Sequence, residues 1–487
     1  MDYIIDMNTK KIIGRIEECE RLNEVLEADS AQLVIVYGRR RVGKTYLINQ
    51  YFENKFAFKV TGAYMQPKAV QIKNFIQELS RKTKQKYEQP TDWYDVFELI
   101  RNYIEDLPED EKQVFFFDEL PWMDTNKSDF LPAFEWFWND YASTKDNVVF
   151  IVCGSATSWM VEHISHNKGG LFNRQTCRLY LKPFTLAEVE QYLLNKNFIW
   201  SRYDIAECYM IMGGIPYYLS LLKKNLSLSQ NIDALFFKDK GELWDEFEHL
   251  YATLFSNSDV YVKIVELLSK KRSGLTRQEI IESGAFQSNG SLSKILNNLV
   301  DSGFIRINAF YGKKKKEIRY QLCDYYTAFY LYFIRDNYGK DEHFWTNSID
   351  NPSKRAWTGL TFEQVCKDHV YQIKKALGVS GVLSEESVWQ IKGGIDENGT
   401  AQKGAQIDLL IERRDRVINI CEIKYSQNEY EIDKSYDMEL RNKIERFRRE
   451  TNNKNSLQLT LITTYGLKRN MYSNIASNQV ILDDLFE

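Results

Sequence analysis

Apolar and polar positions fall into three regimes along this chain. In the first, continuous apolar runs of strand length, LVIVY at 33–37, VFFF at 114–117 and VVFIVC at 148–153, stop at glycine or acidic residues and give way to helical spacing. Runs that are apolar on both faces predict buried parallel strands alternating with helices. From Ser258 the spacing changes to short helices, VYVKIVELLSKK, TRQEIIESG and SLSKILNNLVDSGFIRIN, with Gly284 and Gly303 as stops. A basic hairpin, NAFYGKKKKEIRYQL, follows them, and then the aromatic stretch YYTAFYLYFI, which reads as a packing helix. In the third regime GLTFEQVCKDHVYQI places Phe362, Val365 or Cys366, and Val370 at helical spacing. IDLLIERRDRVINICEIKYS then reads as two strands joined by the polar turn ERRDR.

The first regime carries phosphate chemistry. Gly38 to Thr45, GRRRVGKT, fits G-x-x-x-x-G-K-T between a strand and a helix. Backbone N–H groups of Gly38, Arg39, Arg40, Arg41, Val42 and Gly43, with the helix start at Lys44, Thr45 and Tyr46, would cradle phosphates. Lys44 would pair with the β- and γ-phosphate oxygens, and Thr45 would offer its hydroxyl to magnesium. Asp118 and Glu119 end the strand VFFF, where open α/β sheets place their ligands. Asp118 would hold the magnesium shell, and Glu119 would orient or deprotonate the attacking water. Ser155 ends the next strand, as a γ-phosphate sensor or as a simple turn residue. Arg174 precedes a further strand and fits an arginine finger or a solvated surface charge. The spacing of His163 and His166 has no third metal ligand nearby.

The second regime predicts a winged helix-turn-helix, with Ser291 to Asp301 as recognition helix and Lys313 to Lys316 at the wing tip. Four lysines there suit phosphate contacts to DNA, while the helix is poor in base-reading arginine. A solvated hairpin on a protein-binding unit is the alternative.

The third regime sets charges among apolar positions. Period-two alternation puts Glu422 and Lys424 on one face of the second strand, with Asp408 on its neighbour and Glu363 at the edge of the preceding helical stripe. Two carboxylates, Asp408 and Glu422, suit a hard divalent cation, Mg²⁺ or Mn²⁺, with the lysine beside the water or scissile phosphate. A buried salt bridge from Lys424 to either acid is the structural alternative.

Bulk properties narrow the picture. With 487 residues there is room for about three domains. A net charge of −4 excludes a globally basic nucleic-acid binder but leaves a local basic patch open. Eight prolines favour helices over a disordered tail. Seven scattered cysteines without a C-x-x-C pair predict reduced thiols in a cytoplasmic protein. MDYIIDMNTKK lacks a signal-peptide pattern, and no apolar run nears the ~18 residues that cross a membrane.

The motifs IIGRIEECERL, YGRRRVGKTYLI, FFFDELPW, IVCGSATSWM, GGLFNR and GGIPYYLSLL, in this order, resemble the archaeal-type P-loop ATPases related to the STAND and AAA+ groups. That resemblance implies an ATPase using ATP and Mg²⁺, with Gly14 and Arg15 near the nucleotide, Ser155 as sensor 1, and Gly214 to Pro216 in a helical lid. It also leaves open a STAND-like switch that binds a protein or DNA partner, and a homo-oligomer in which Arg174 serves a neighbour's site. Glu363, Asp408 and Glu422-x-Lys424 resemble the PD-(D/E)xK nuclease superfamily, with Ile407 in place of the proline. The expected fold is multidomain α/β. Its parts are a P-loop ATPase core at 1–195, a helical lid at 196–255, a winged helix at 256–325, a helical linker at 326–355 and a restriction-endonuclease-like domain at 356–487.

Overall fold

The computed structural model describes residues 12–165, 171, 174–255, 257–286, 290–312, 318–337, 339–348, 351–395 and 401–487. The wing-tip lysines 313–316 and His166 therefore lie outside the described residues.

The apolar runs of the first half become one five-stranded parallel sheet. Its strands are β1 (Gln32–Tyr37), β2 (Phe58–Thr61), β3 (Gln113–Asp118), β4 (Val148–Gly154) and β5 (Cys177–Tyr180), in the order β2-β3-β4-β1-β5. Alternate residues feed two cores: Leu33 and Ile35 of β1 pack on one face, Val34 and Val36 on the other. Helices cover both faces, so the inner strands β1, β3 and β4 are buried along nearly their whole length, while the outer strands β2 and β5 alternate. α1 (Ile16–Glu27) and α2 (Lys44–Tyr51) lie on the face of Val34. α3 (Lys68–Thr83), α4 (Trp93–Glu105), the short α5 (Leu120–Met123) and α6 (Phe130–Asp140) lie on the other, and α7 (Thr157–Trp159) follows β4.

Further helices come next: α8 (Leu186–Asn195), which closes the stretch expected as core, and, in the stretch expected as a lid, α9 (Arg202–Met212), α10 (Pro216–Ser220), α11 (Leu228–Ile232) and α12 (Glu246–Leu254). The middle unit has α13 (Ser258–Ser269), β6 (Leu275–Thr276), α14 (Arg277–Glu282), α15 (Gly290–Asp301), β7 (Ile305–Asn308) and β8 (Arg319–Leu322). Its three strands form an antiparallel sheet ordered β6-β8-β7. α16 (Tyr325–Phe329) runs into a π-helical turn at Tyr330–Ile334, and Tyr326, Phe329 and Ile334 are buried, as the packing reading of this stretch expects.

α17 (Phe344–Asn347), α18 (Pro352–Asp368) and α19 (Val370–Ala376) lead to a second, separate sheet. It contains β9 (Ser384–Ile391), then, after the small ribbon β10 (Gly394–Ile395) and β11 (Ala401–Gln402), β12 (Ala405–Arg413) and β13 (Val417–Lys424). α20 (Lys434–Thr451), β14 (Ser456–Thr463) and β15 (Asn478–Ile481) complete it, in the order β15-β14-β13-β12-β9. The expected hairpin is present: β12 and β13 pair antiparallel, with Leu409 opposite Cys421.

Strict alternation fails at one place in β12. Against β9 the register shifts between Ile407 and Leu410, so Asp408 sits in a bulge. Ile407 and Leu410 pack in the core beneath α20, whereas Leu409 and Ile411 join the core shared with α18. Bulges re-aim side chains, and this one frees Asp408 from the simple face assignment.

The middle unit also touches the second sheet through its backbone. Tyr311 N–H donates to Val388 O at 2.9 Å, and Val388 N–H donates to Ala309 O at 3.0 Å, extending the chain after β7 along the edge of β9.

Candidate functional site

β1 delivers the chain into the phosphate loop, which must turn sharply before α2 starts. Gly43 caps α2 at φ 91°, and a Cβ there would meet nothing within 4 Å, so glycine is required by backbone conformation rather than by space. Lys44 is buried, its Nζ donating to Gly38 O at 2.9 Å and Arg39 O at 3.0 Å. Burial pulls its pKa down, against Cys153, Glu119 and Asp118. Thr45 Oγ1 donates to Asp118 at 3.0 and 3.1 Å, joining the first turn of α2 to the end of β3. A hydroxyl and a carboxylate held together form an oxygen donor set of the kind a hard divalent cation takes.

Next to it, Glu119 has the left-handed backbone φ 49°, an uncommon state for a residue with a Cβ. Its Oε2 accepts from Ser155 N–H at 3.1 Å and Ser155 Oγ at 2.8 Å, so the ends of β3 and β4 are bonded through the two residues singled out in the sequence.

Arg15 is buried beside the loop. Its Nη2 donates to Val42 O at 3.2 Å, its guanidinium lies 4.8 Å from the Phe184 ring centre, and its N–H donates to Glu188 Oε1 at 3.1 Å. Gly14, at φ 64°, leaves no room for a Cβ, which would sit 2.2 Å from Glu188 Oε1. Pro216 opens α10, and Tyr217 N–H reaches Arg41 O at 3.5 Å. Tyr46 is exposed, and so is Arg174, whose backbone N–H donates to Leu171 O. His163 lies against the Trp159 ring at 5.1 Å.

The sequence reading missed what the three loop arginines do. Arg39 forms a 2.5 Å ion pair with Asp324, the residue that caps α16, and both are buried. Arg40 donates to Thr253 Oγ1 on α12. Arg41 pairs with Glu246 at the start of the same helix at 2.7 Å and lies 4.1 Å from the Tyr217 ring centre. Three consecutive residues of the phosphate loop thus hold α12 and the cap of α16. From α16 the network continues: Tyr325 OH donates to Asp368 at 2.5 Å, Arg306 of β7 pairs with Asp368 at 2.9 Å, and Asp368 ends α18. The run RRR inside the loop was the available signal. Its partners are distant in sequence and carry none.

At the second sheet the four expected residues share one electrostatic neighbourhood but face differently. Burial first, and then the Asp408 carboxylate, push the Glu363 carboxyl up to about 8, with Lys367, Lys424 and Glu422 also acting on it. Glu363 and Asp408 line one cavity between α18, β12 and the middle unit. Glu422 is buried and turns toward α20. It accepts from Tyr436 OH at 2.8 Å and from Lys443 Nζ at 2.9 and 3.1 Å, and pairs with Lys424 at 3.1 Å. Burial alone would raise the Glu422 pKa, and the two ammonium groups bring it below the usual value. Tyr436 and Lys443 lie seven positions apart on one face of α20, a spacing readable only once the helix is known to cover β13.

Among the described residues no group of three or more His, Cys, Asp or Glu is arranged to hold a metal. The fit to a divalent cation rests on the donor chemistry of Glu363 and Asp408, two like-charged carboxyls whose repulsion a cation relieves. Glu422 is already offset by two lysines.

The helix expected to read DNA is α15, and its Lys294 pairs with Glu162 of the first unit at 3.1 Å. No helix among the described residues is long and apolar enough to cross a membrane, and all seven cysteines are free thiols.

Residues 13–222 match the family model described as an ATPase domain predominantly from Archaea. An uncharacterized protein of Methanocaldococcus jannaschii is 26% identical over 367 residues, 74% of this chain and 78% of the relative. An uncharacterized ATP-binding protein of the same organism is 51% identical over 43 residues, 9% of this chain and 73% of that protein. Among solved structures, the Walker-type ATPase of Pyrococcus abyssi covers 66% of this chain and 96% of its own, with a TM-score of 0.47 and 18% identity.

Proposed function

We propose that this chain hydrolyses ATP and couples that reaction to nucleic-acid binding and to metal-dependent phosphodiester cleavage by its C-terminal unit; the match of residues 13–222 to the ATPase domain predominantly from Archaea supports the first part. In this reading α13–β8 is a winged helix-turn-helix, and the unit built on α18 and the second sheet is PD-(D/E)xK nuclease-like.

At the first site Lys44 contacts the terminal phosphates, and Thr45 with Asp118 would hold Mg²⁺. Glu119, positioned by Ser155, orients the water and takes its proton. Arg174, exposed near the end of the sheet, serves as a finger within the chain or in a second copy.

At the second site Glu363 and Asp408 would hold Mg²⁺ or Mn²⁺, and Glu422, the other expected ligand, would have to leave Lys443 and Tyr436 to join them. Such an ion lowers the pKa of bound water and polarises a phosphoryl oxygen. Lys424 stands by the scissile phosphate. The observation that carries the cutting reading is the Glu363–Asp408 pair, a carboxyl pushed up to about 8 beside a second acid at a cavity wall. Half-buried carboxyls perturbed by a neighbouring acid in this way concentrate at functional sites.

The second reading is a STAND-like switch whose C-terminal unit binds a partner without cutting. The ties from Glu422 to Lys424, Lys443 and Tyr436 favour it, since a carboxylate so compensated is stable without a metal. The test is an assay on plasmid and single-stranded DNA with Mg²⁺ or Mn²⁺, with and without ATP, using wild type and Asp408→Ala. Cleavage lost in the variant, with ATP hydrolysis kept, supports the nuclease. No product under any condition leaves the switch.

A further inference from the structure

Three adjoining cavities lie between the middle unit and the C-terminal unit, and Lys367 and Asp408 line all three, the widest with a volume of about 410 Å³. Lys367 is one helical turn after Glu363 on α18, so the two side chains leave the same face. The charges at this cleft divide into satisfied and unsatisfied. Arg306 is paired with Asp368, and Lys424 with Glu422. Lys367 makes neither ion pair nor hydrogen bond among the described residues.

Across the cavity Arg272, from the turn after α13, is held by the neutral Thr361 hydroxyl at 3.2 Å, and its guanidinium lies 5.4 Å from the Tyr332 ring centre. Tyr332 lines the same cavity and is 47% exposed, leaving ring surface open.

We propose that Lys367 and Arg272, contributed by two different units, hold the phosphodiester backbone of a single-stranded nucleic acid in this cleft, with Tyr332 stacking on a base. This rests on the nuclease-like reading of the C-terminal unit. Two cations that sense the Glu363 and Asp408 carboxyls without forming an ion pair with either, set beside acids that a divalent cation would neutralise, match a phosphate bound next to a metal. Backbone-tracking cations combined with an open aromatic ring are the means by which single strands are held without sequence preference. The strand count follows from the walls. The cavity that Arg272 and Tyr332 line has a volume of only about 100 Å³, and the backbone bonds between Ala309–Tyr311 and Val388 close one side of the wider one that adjoins it through Lys367 and Asp408, so a duplex enters only by breaking them.

The test uses the full chain with Ca²⁺ in place of Mg²⁺ and follows fluorescence anisotropy of a labelled oligothymidylate, an oligouridylate and a short duplex across a salt series. Wild type is expected to bind a single strand more tightly than duplex, the two oligonucleotide arms showing whether the sugar matters. Lys367→Met and Arg272→Met should each weaken binding on the order of 10-fold and lower the log–log salt slope by about 0.7, one phosphate contact on a single strand. Lys468→Met, at an exposed pair with Glu431, is the charge control, and unchanged ATP hydrolysis reports that each variant is folded. Single-strand binding with the same slope in both cleft variants overturns the inference while leaving the nuclease reading standing. A preference for duplex also overturns it. Binding of no nucleic acid by wild type overturns both.

Discussion

Arg39 and Asp324 meet at 2.5 Å with both side chains buried, joining the phosphate loop to the cap of α16. Two flanking rings, Tyr218 and Phe304, lie 5.9 and 5.5 Å from the guanidinium. Burial opposes the charge, but Asp324 outweighs it and the Arg39 pKa is raised. Such a pair is costly to break from one side, because the remaining charge stays in low dielectric.

Asp324→Asn should therefore destabilise the chain by about 3–5 kcal/mol, read as a lower midpoint in urea or thermal unfolding. The double variant Arg39→Met/Asp324→Leu should recover much of that loss, because no buried charge is left alone. A double variant no more stable than the single one contradicts this account.

At the first site, Lys44→Ala should lose ATP binding, measured at equilibrium with a fluorescent analogue. Glu119→Gln keeps the hydrogen-bonding shape toward Ser155 but removes the base. It should bind ATP near wild type and lower the rate of phosphate release by about 10²–10⁴-fold, the range for a general base. Normal hydrolysis in Glu119→Gln removes that residue from the role.

Glu363 makes stability depend on pH. Its folded pKa, about 8, lies above the ordinary 4.5, so the folded state binds the proton more tightly than the unfolded chain does. The stabilisation is complete below pH 4.5 and is lost as pH rises through about 8. Glu363→Gln cannot ionise, so its thermal midpoint should rise relative to wild type across that window and level off above it. Parallel profiles for the two proteins would mean the carboxyl is not perturbed.

Glu422 has the opposite sign. Its folded pKa is depressed, so its contribution is present above about 4.5 and lost as pH falls through the folded value. Lys443→Met removes one of its two ammonium partners and should cost about 2 kcal/mol at neutral pH, the scale of a charged hydrogen bond. The difference from wild type should shrink at acid pH, which denaturant titrations at pH 7 and pH 3.5 will show.

What the sequence makes legible is local. The turn GRRRVGKT, the apolar run before Asp118 and Glu119, and the hairpin around ERRDR follow from neighbouring residues alone, and each forms where the pattern puts it. The bulge at Asp408 is not legible, since it depends on how β12 meets β9. Nor are the tethers of Arg39 and Arg41 or the hold of Lys443 on Glu422, which join residues far apart in the chain. Alternation assigns Glu422 and Lys424 to one face correctly, but it does not show that α20 covers that face.

The short run of chain after β7 that bonds to Val388 has a further consequence. β9 is an outer strand of its sheet, and a bare outer strand offers unpaired N–H and C=O groups to any passing chain. Ala309 and Tyr311 occupy part of that row. A mutation that swings the middle unit away would therefore do more than alter a cleft: it would uncover an adhesive border, and self-association in proportion to concentration should be its first visible symptom.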